Sequence, residues 1–176
     1  KHPGHFGAIT AMAWTSDSKS IATANDDGKN RTIEVWDATT GQSAISSVVE
    51  PYIFAGFRVV AMVWSPDGTR LAYVFDNGEV RIWSRKTDTD IGFSTNISRS
   101  PSSQHLKAAL AWSPDGQFLA FSTASGSIQV RDANTGAQLY SYSGHTQPVN
   151  SMAWSPNSKR VASASADGMV QVWGPV

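Results

Sequence analysis

SMAWSPNSKRVASASADGMVQVW, residues 151–173, is the stretch that decides the fold. Met152 and Trp154 lie two residues apart, as do Val161 and Ser163, and Val170 and Val172. A spacing of two puts side chains on one face of an extended strand. Between the strands stand turn residues. In Ser155-Pro156-Asn157-Ser158 the fixed φ of proline suits the first central turn position, and in Ala166-Asp167-Gly168 the Asp-Gly pair tolerates positive φ. The stretch predicts antiparallel strands over 149–154, 160–165 and 169–173.

Working outward, the same phrase occurs three more times: AMAWTSDSKSIATA from Ala11, AMVWSPDGTRLAYV from Ala61 and ALAWSPDGQFLAFS from Ala109. Its tryptophans, Trp14, Trp64, Trp112 and Trp154, are 50, 48 and 42 residues apart. A period of about 40–50 residues with several short strands is the signature of a propeller blade. A fourth strand is expected in the connections, best seen as Ala137 to Ser141 after the Asn134-Thr135-Gly136 turn. The expected class is all-β: a β-propeller built of four-stranded antiparallel blades, four per chain. Blade one spans about 5–50, blade two about 55–98, blade three about 103–142 and blade four about 145–176, with the outer strand of blade four missing.

Composition narrows the functions. With 40% hydrophobic and 16% charged residues, the 176-residue chain lies in the globular range. Its 14 basic and 14 acidic residues cancel, so no overall field favours nucleic acid or an anionic membrane. No cysteine is present, which excludes disulfides and thiolate chemistry, and the cytoplasm is the expected compartment. The longest apolar run, Val59 to Trp64, is far short of the roughly 18 residues of a membrane span.

The repeats resemble the WD-repeat family. Gly4-His5 and Gly144-His145 match its Gly-His dipeptide, and Trp36-Asp37 its terminal Trp-Asp. The resemblance implies a hydrogen-bonded tetrad of His, Ser or Thr, Asp and Trp in a blade. Blade four supplies it as His145, Ser163, Asp167 and Trp173, and blade one as His5, Thr23, Asp27 and Trp36. Blade two carries Ala55, Tyr73, Asn77 and Trp83 at those positions, and blade three Ser103, Phe121, Ser125 and Arg131. Both are expected to rely on apolar packing instead. The Ser-Pro-Asp-Gly turns also resemble bacterial members of the family.

A His-Ser-Asp set invites a catalytic reading, but its repetition in two blades together with a tryptophan marks it as structural. There is no Gly-x-Ser-x-Gly elbow, phosphate loop, dinucleotide fingerprint or zinc motif, so neither a catalytic residue nor a cofactor is expected. The histidines, His2, His5, His105 and His145, lack metal-ligand spacing, and no metal is expected. Two insertions stand out. Gly28 to Arg31 reads as an enlarged hairpin, and Thr87 to Lys107 as a long serine-rich connection containing one outer strand.

Binding is expected at the loops and strand ends of one face. The resemblance implies upper-face positions six and four residues before each repeat tryptophan, and one before the second-turn aspartate. These are Ala8, Thr10 and Asp26; Arg58, Val60 and Asp76; Leu106, Ala108 and Ala124; Pro148, Asn150 and Ala166. Arg58, Asp26 and Asp76 are the candidates for specificity, with Thr10, Asn150 and Leu106 beside them. The family usually closes with about seven or eight blades, and four fall short. A half-ring would expose two apolar blade faces, so two chains are expected to pair as a two-fold homodimer forming an eight-bladed assembly. The expected function is a non-catalytic scaffold for a protein or peptide. The alternatives are a propeller enzyme using Asp26 and Asp76 as an acidic channel site, and an engineered or truncated propeller fragment.

Overall fold

Every sheet in the computed structural model follows the chain, each strand pairing with the next. The structure describes residues 7–29, 31–45, 57–93, 108–123 and 125–174. Blade one is β1 (Ala8–Trp14), β2 (Ser20–Asp26), β3 (Arg31–Asp37) and β4 (Ser43–Ile45). Blade two is β5 (Val59–Trp64), β6 (Arg70–Phe75), β7 (Val80–Ser84) and β8 (Thr89–Phe93). Blade three is β9 (Leu110–Trp112), β10 (Phe118–Ser122), β11 (Ile128–Asp132) and β12 (Gln138–Tyr142). Blade four shows three strands among the described residues, β13 (Val149–Trp154), β14 (Val161–Ser165) and β15 (Val170–Trp173). All pairings are antiparallel.

One turn builds the lower end of every blade. In blade two the Ser65 hydroxyl donates to Asp67 (2.5 Å) and accepts from the Arg70 amide (3.0 Å), while Asp67 accepts from the Thr69 amide (3.1 Å). Thr15-Asp17, Ser113-Asp115 and Ser155-Asn157 repeat the arrangement. The fourth residue of the turn has positive φ in all blades: Ser18 (60°), Gly68 (68°), Gly116 (72°) and Ser158 (59°). The two serines therefore hold a backbone conformation that elsewhere calls for glycine.

The core lies between the blades. Three buried layers follow one another: Ile33 and Val35 of blade one against Met62, Trp64 and Tyr73 of blade two; Val80 and Ile82 of blade two against Trp112 and Phe121 of blade three; Ile128 and Val130 of blade three against Val149, Met152 and Trp154 of blade four. The repeat tryptophans hold these layers together. Trp112 donates its indole N–H to the Val63 carbonyl of the preceding blade (3.2 Å), and Trp154 donates to Ala111 (3.1 Å). Trp64 is buried without a partner for its Nε1, its ring edge against Trp83 at 6.3 Å.

The same positions lie open at the two ends of the row. Met12 and Trp14 of blade one are 59% and 52% exposed, and Val170 and Val172 of blade four 70% and 63%. Their counterparts inside the row are buried or half-buried.

Several expectations need adjustment. The enlarged hairpin is narrower than the sequence suggested, because Arg31 already belongs to β3 and pairs with Asp26. The outer strand expected at Ala137 to Ser141 is β12, displaced by one residue. The connection after Thr87 contains β8, and its remainder to Lys107 lies outside the described residues.

Candidate binding face

At the upper end, opposite the repeated turn, three inner strands share a defect. Their pairing shifts register between Ile9 and Ala11, Val59 and Ala61, and Val149 and Ser151. The residues skipped are Thr10, Val60 and Asn150. A bulge of this kind bends a strand and re-aims a side chain. The Thr10 hydroxyl reaches back to the Ala24 carbonyl (3.5 Å), and Asn150 is exposed.

Charge gathers on blades one and two. Arg31 Nε lies 3.2 Å from an Asp26 carboxylate oxygen, close enough for charge pairing though out of line for a hydrogen bond. Arg58 Nε is 3.7 Å from Asp76, whose carboxylate also accepts from the Arg58 amide (3.3 Å). The Asp76 amide returns a bond to the Arg58 carbonyl (2.8 Å). Asp26 and Asp76 are thus each engaged by an arginine rather than by one another. Beside Arg31 lies a small recess, about large enough for one water molecule, lined by Asn25, Arg31, Thr32, Ile33, Phe57, Val59 and Phe75. Asn25 accepts there from both the amide (3.1 Å) and the hydroxyl (2.8 Å) of Thr32.

Of the other sequence-derived positions, Ala8 and Ala166 are exposed and Ala108 is half-buried. The Pro148 carbonyl is taken by the Ser165 hydroxyl and the Ala166 amide, both at 3.0 Å. Leu106 and Ala124 lie outside the described residues. Reasoning along the repeat missed Thr32 and Phe57, and named Arg31 only as part of the enlarged hairpin. Phe57 immediately precedes Arg58, and that adjacency was the available signal.

In blade four the tetrad is complete. His145 meets Asp167 through Nδ1 (2.9 Å) and Ser163 through Nε2 (2.8 Å), and the Trp173 indole donates to Ser163 (3.2 Å). With the imidazole neutral and its proton on Nδ1, every hydrogen is used: Trp173 to Ser163, Ser163 to His145, His145 to Asp167. Asp167 also accepts from the amides of Thr146 and Met169. Burial opposes the ionised form, yet these donors hold the carboxyl below its ordinary range. Ser163 is only 1% exposed, so its hydroxyl is closed to a substrate. In blade one Trp36 donates to Thr23 (3.3 Å), while His5 lies outside the described residues and Asp27 accepts from the Lys29 amide (2.8 Å).

Blades two and three correct the expectation that they rely on apolar packing. The Tyr73 hydroxyl reaches both carboxylate oxygens of Asp90 (3.0 Å), and the Trp83 indole donates to Asp88 (2.9 Å). Arg81 joins this group through Glu79 (2.8 Å) and Asp90 (3.9 Å). Burial pushes both the Tyr73 phenol and the Asp90 carboxyl upward. In blade three Arg131 replaces the tryptophan and donates to Gln129 and to the Gly136 carbonyl (3.0 Å). Ala55 and Ser103 lie outside the described residues.

The family model for the WD domain, G-beta repeat, matches residues 1–37, 50–84, 100–132 and 136–174. The chain belongs to the WD-repeat family. It is 27% identical to a guanine nucleotide-binding protein subunit beta of Lymnaea stagnalis over 149 residues, 85% of this chain and 40% of that protein. The subunit beta-1 of Caenorhabditis briggsae is 28% identical over 149 residues, 85% of this chain and 41% of its own. A 66 kDa stress protein of Physarum polycephalum is 30% identical over 81 residues, 46% of this chain and 12% of that protein. The WD-repeat chain thus spans less than half the length of these relatives. Among solved structures, the mitotic checkpoint complex contains a similar chain (TM-score 0.74, 23% identity, 98% of this chain and 51% of that one). A computationally designed protein is similar over 99% of this chain and 95% of its own (TM-score 0.72, 27% identity).

Among the described residues no group of three or more His, Cys, Asp or Glu side chains could hold a metal. Among the described residues no helix is long and apolar enough to cross a membrane.

Proposed function

We propose that this WD-repeat chain is a non-catalytic scaffold that docks a protein or peptide segment on the upper face of blades one and two. The observation that carries the reading is the two charge pairs, Asp26–Arg31 and Arg58–Asp76, on adjacent blades, with half-buried Phe57 next to Arg58 and a small recess beside Arg31. A surface that carries charges of both signs beside a half-buried aromatic ring suits a segment of mixed polar and charged side chains, and aromatic and arginine side chains are the usual anchors of such contacts. Relatives named as a G-protein subunit and as a subunit of the anaphase-promoting complex, and a neighbour from a checkpoint complex, are parts of assemblies. Thr10 and Asn150, re-aimed by their bulges, extend the surface around the face. The cytoplasm suits the chain, since a protein without cysteine loses nothing in a reducing medium.

The test is binding to peptides selected from a displayed library, with far-UV circular dichroism to confirm folding. Arg58→Ala or Phe57→Ala is expected to weaken binding about tenfold or more. Unchanged affinity in both variants contradicts the site. An enzymatic reaction abolished by Asp26→Asn with Asp76→Asn would contradict the non-catalytic reading.

A second reading follows from the open end faces. Two copies pair to complete an eight-bladed ring, because exposed Met12, Trp14, Val170 and Val172 occupy positions that are covered by neighbouring blades elsewhere. Light scattering is expected to give twice the 18.9 kDa chain mass.

A further inference from the structure

We infer that Asn77 is a site of spontaneous covalent modification: its side-chain amide is lost to attack by the Gly78 backbone nitrogen, which turns a neutral turn residue into a carboxylate at the upper end of blade two.

Asn77-Gly78 is the one Asn-Gly pair in the sequence. The other asparagines, Asn25, Asn30, Asn96, Asn134, Asn150 and Asn157, precede Asp, Arg, Ile, Thr, Ser and Ser. Glycine carries no side chain to obstruct the approach of its own nitrogen to the amide carbon, and its backbone reaches conformations closed to other residues. The pair stands at the tip of the β6–β7 hairpin, where Asn77 is half-buried rather than enclosed.

The step balances with water as its only co-reactant. The Gly78 nitrogen gives up its proton and bonds to Cγ of Asn77. The bond from Cγ to the side-chain nitrogen breaks, and ammonia leaves with the proton. Water then opens the cyclic imide. Cleavage at Cγ leaves an ordinary aspartate, whereas cleavage at the main-chain carbonyl leaves Gly78 attached through Cγ and lengthens the main chain by a carbon.

The fold decides when this happens. In the closed turn the Gly78 N–H donates to the Phe75 carbonyl (2.8 Å), and Asn77 Oδ1 accepts from the Glu79 amide (2.9 Å), so both reacting groups are held. Attack therefore waits on opening of the hairpin tip, a local event of much lower cost than global unfolding.

The fold also decides which product it keeps. Blade one carries Asp26-Asp27-Gly28 where blade two carries Asp76-Asn77-Gly78, so it already shows this turn with the carboxylate in place. Asp27 accepts from the Lys29 amide (2.8 Å) and Asp167 of blade four from the Met169 amide (2.9 Å), as Asn77 does from Glu79. The glycines that follow, Gly28, Gly78 and Gly168, have φ of 84°, 83° and 84°. Aspartate therefore keeps the turn. The new charge falls between Asp76 and Glu79, which pair with Arg58 and Arg81, and makes this end of the blade more negative. The isoaspartyl form does not fit, because its extra carbon lies inside the hairpin closed by the Phe75 amide and the Glu79 carbonyl (2.9 Å).

The test keeps the whole folded chain at mildly alkaline pH and follows it by isoelectric focusing and peptide mass mapping. A more acidic band is expected to accumulate, since a new carboxyl with a pKa of about 4 is ionised there. Mapping is expected to find amide loss at Asn77 ahead of every other asparagine. Urea short of the unfolding transition is expected to speed it, and no change with urea overturns the gating by the turn. Asn77→Ser, which gives blade two the residue that blade three carries as Ser125, is expected to abolish the band. Asn77→Asp is expected to keep the Tm of the parent chain. Amide loss at Asn77 no faster than at Asn134 or Asn150 overturns the proposal, as does an acidic band that persists in Asn77→Ser. A markedly lower Tm in Asn77→Asp overturns the claim that the turn accepts the product.

Discussion

Replacing Ser163 by alanine removes one hydroxyl and breaks two buried contacts. The hydroxyl accepts from Trp173 (3.2 Å) and donates to His145 (2.8 Å), and both partners are buried. Each orphaned polar group costs about 1–3 kcal/mol, so the substitution is expected to cost about 2–6 kcal/mol. For a chain of this size a kcal/mol lowers Tm by about 2–4 °C, so a fall of about 4–24 °C is expected. Urea unfolding at fixed protein concentration, followed by tryptophan fluorescence and circular dichroism, measures it. Ser163→Thr should recover most of the loss, because Thr23 performs the same task for Trp36 in blade one. Trp173→Phe keeps the ring that stacks on Tyr142 at 4.6 Å but deletes the N–H. The double variant should then fall short of additivity by about 1 kcal/mol. A Ser163→Ala cost under about 0.5 kcal/mol, the range of an ordinary surface change, refutes the reasoning.

Other outcomes follow from the same geometry. The Arg70 guanidinium lies 4.8 Å from the centre of the Trp112 ring of the next blade and donates to the carbonyls of Gly116 (2.6 Å) and Ala133 (3.2 Å), so Arg70→Ala is expected to destabilise the chain by about 2–3 kcal/mol in urea unfolding, with Arg70→Lys recovering only part because lysine lacks the fork. Tyr73→Phe is expected to cost about 1–2 kcal/mol, since it strips Asp90 of its shortest hydrogen bond. Acid should unfold the protein through its turns. Donors hold Asp17, Asp37 and Asp132 below the ordinary carboxylate range, chiefly Thr15, Thr40 and Thr135. At Asp67 and Asp115 burial opposes the same shift and hydrogen bonds outweigh it. Carboxyls that ionise more readily folded than unfolded stabilise fully above the unfolded value of about 4 and lose that contribution as pH falls through the folded one. Stability against urea is therefore expected to drop steeply below about pH 4. Asp90, raised by burial, works in the opposite sense, so Asp90→Asn should narrow its deficit or gain stability as pH rises towards 7.

The blade was legible because its signals are local. Met152 with Trp154 fixes a strand face, Ser155 with Asn157 fixes the turn, and the interval of 42–50 residues repeats both. The blade-four tetrad was also legible, since its members sit at set distances within one repeat. The substitute network of blade two was not. Asp88 and Asp90 belong to the hairpin and outer strand beyond the motif, and only the fold brings them to Trp83 and Tyr73. The recess was hidden for a related reason: Asn25 and Arg31 come from one blade and Phe57 and Phe75 from the next. The role of Arg70 emerges only across a junction, at Ala133, 63 residues away in sequence.

The radial stacking of sheets through their tryptophan flanks supports all of these statements, and exchange of the indole protons reports on it directly. By nuclear magnetic resonance in deuterated buffer, the N–H protons of Trp112 and Trp154 should exchange slowly, because each is bonded to a carbonyl of the preceding blade. If both exchange as fast as free indole, the blades do not stack in this way.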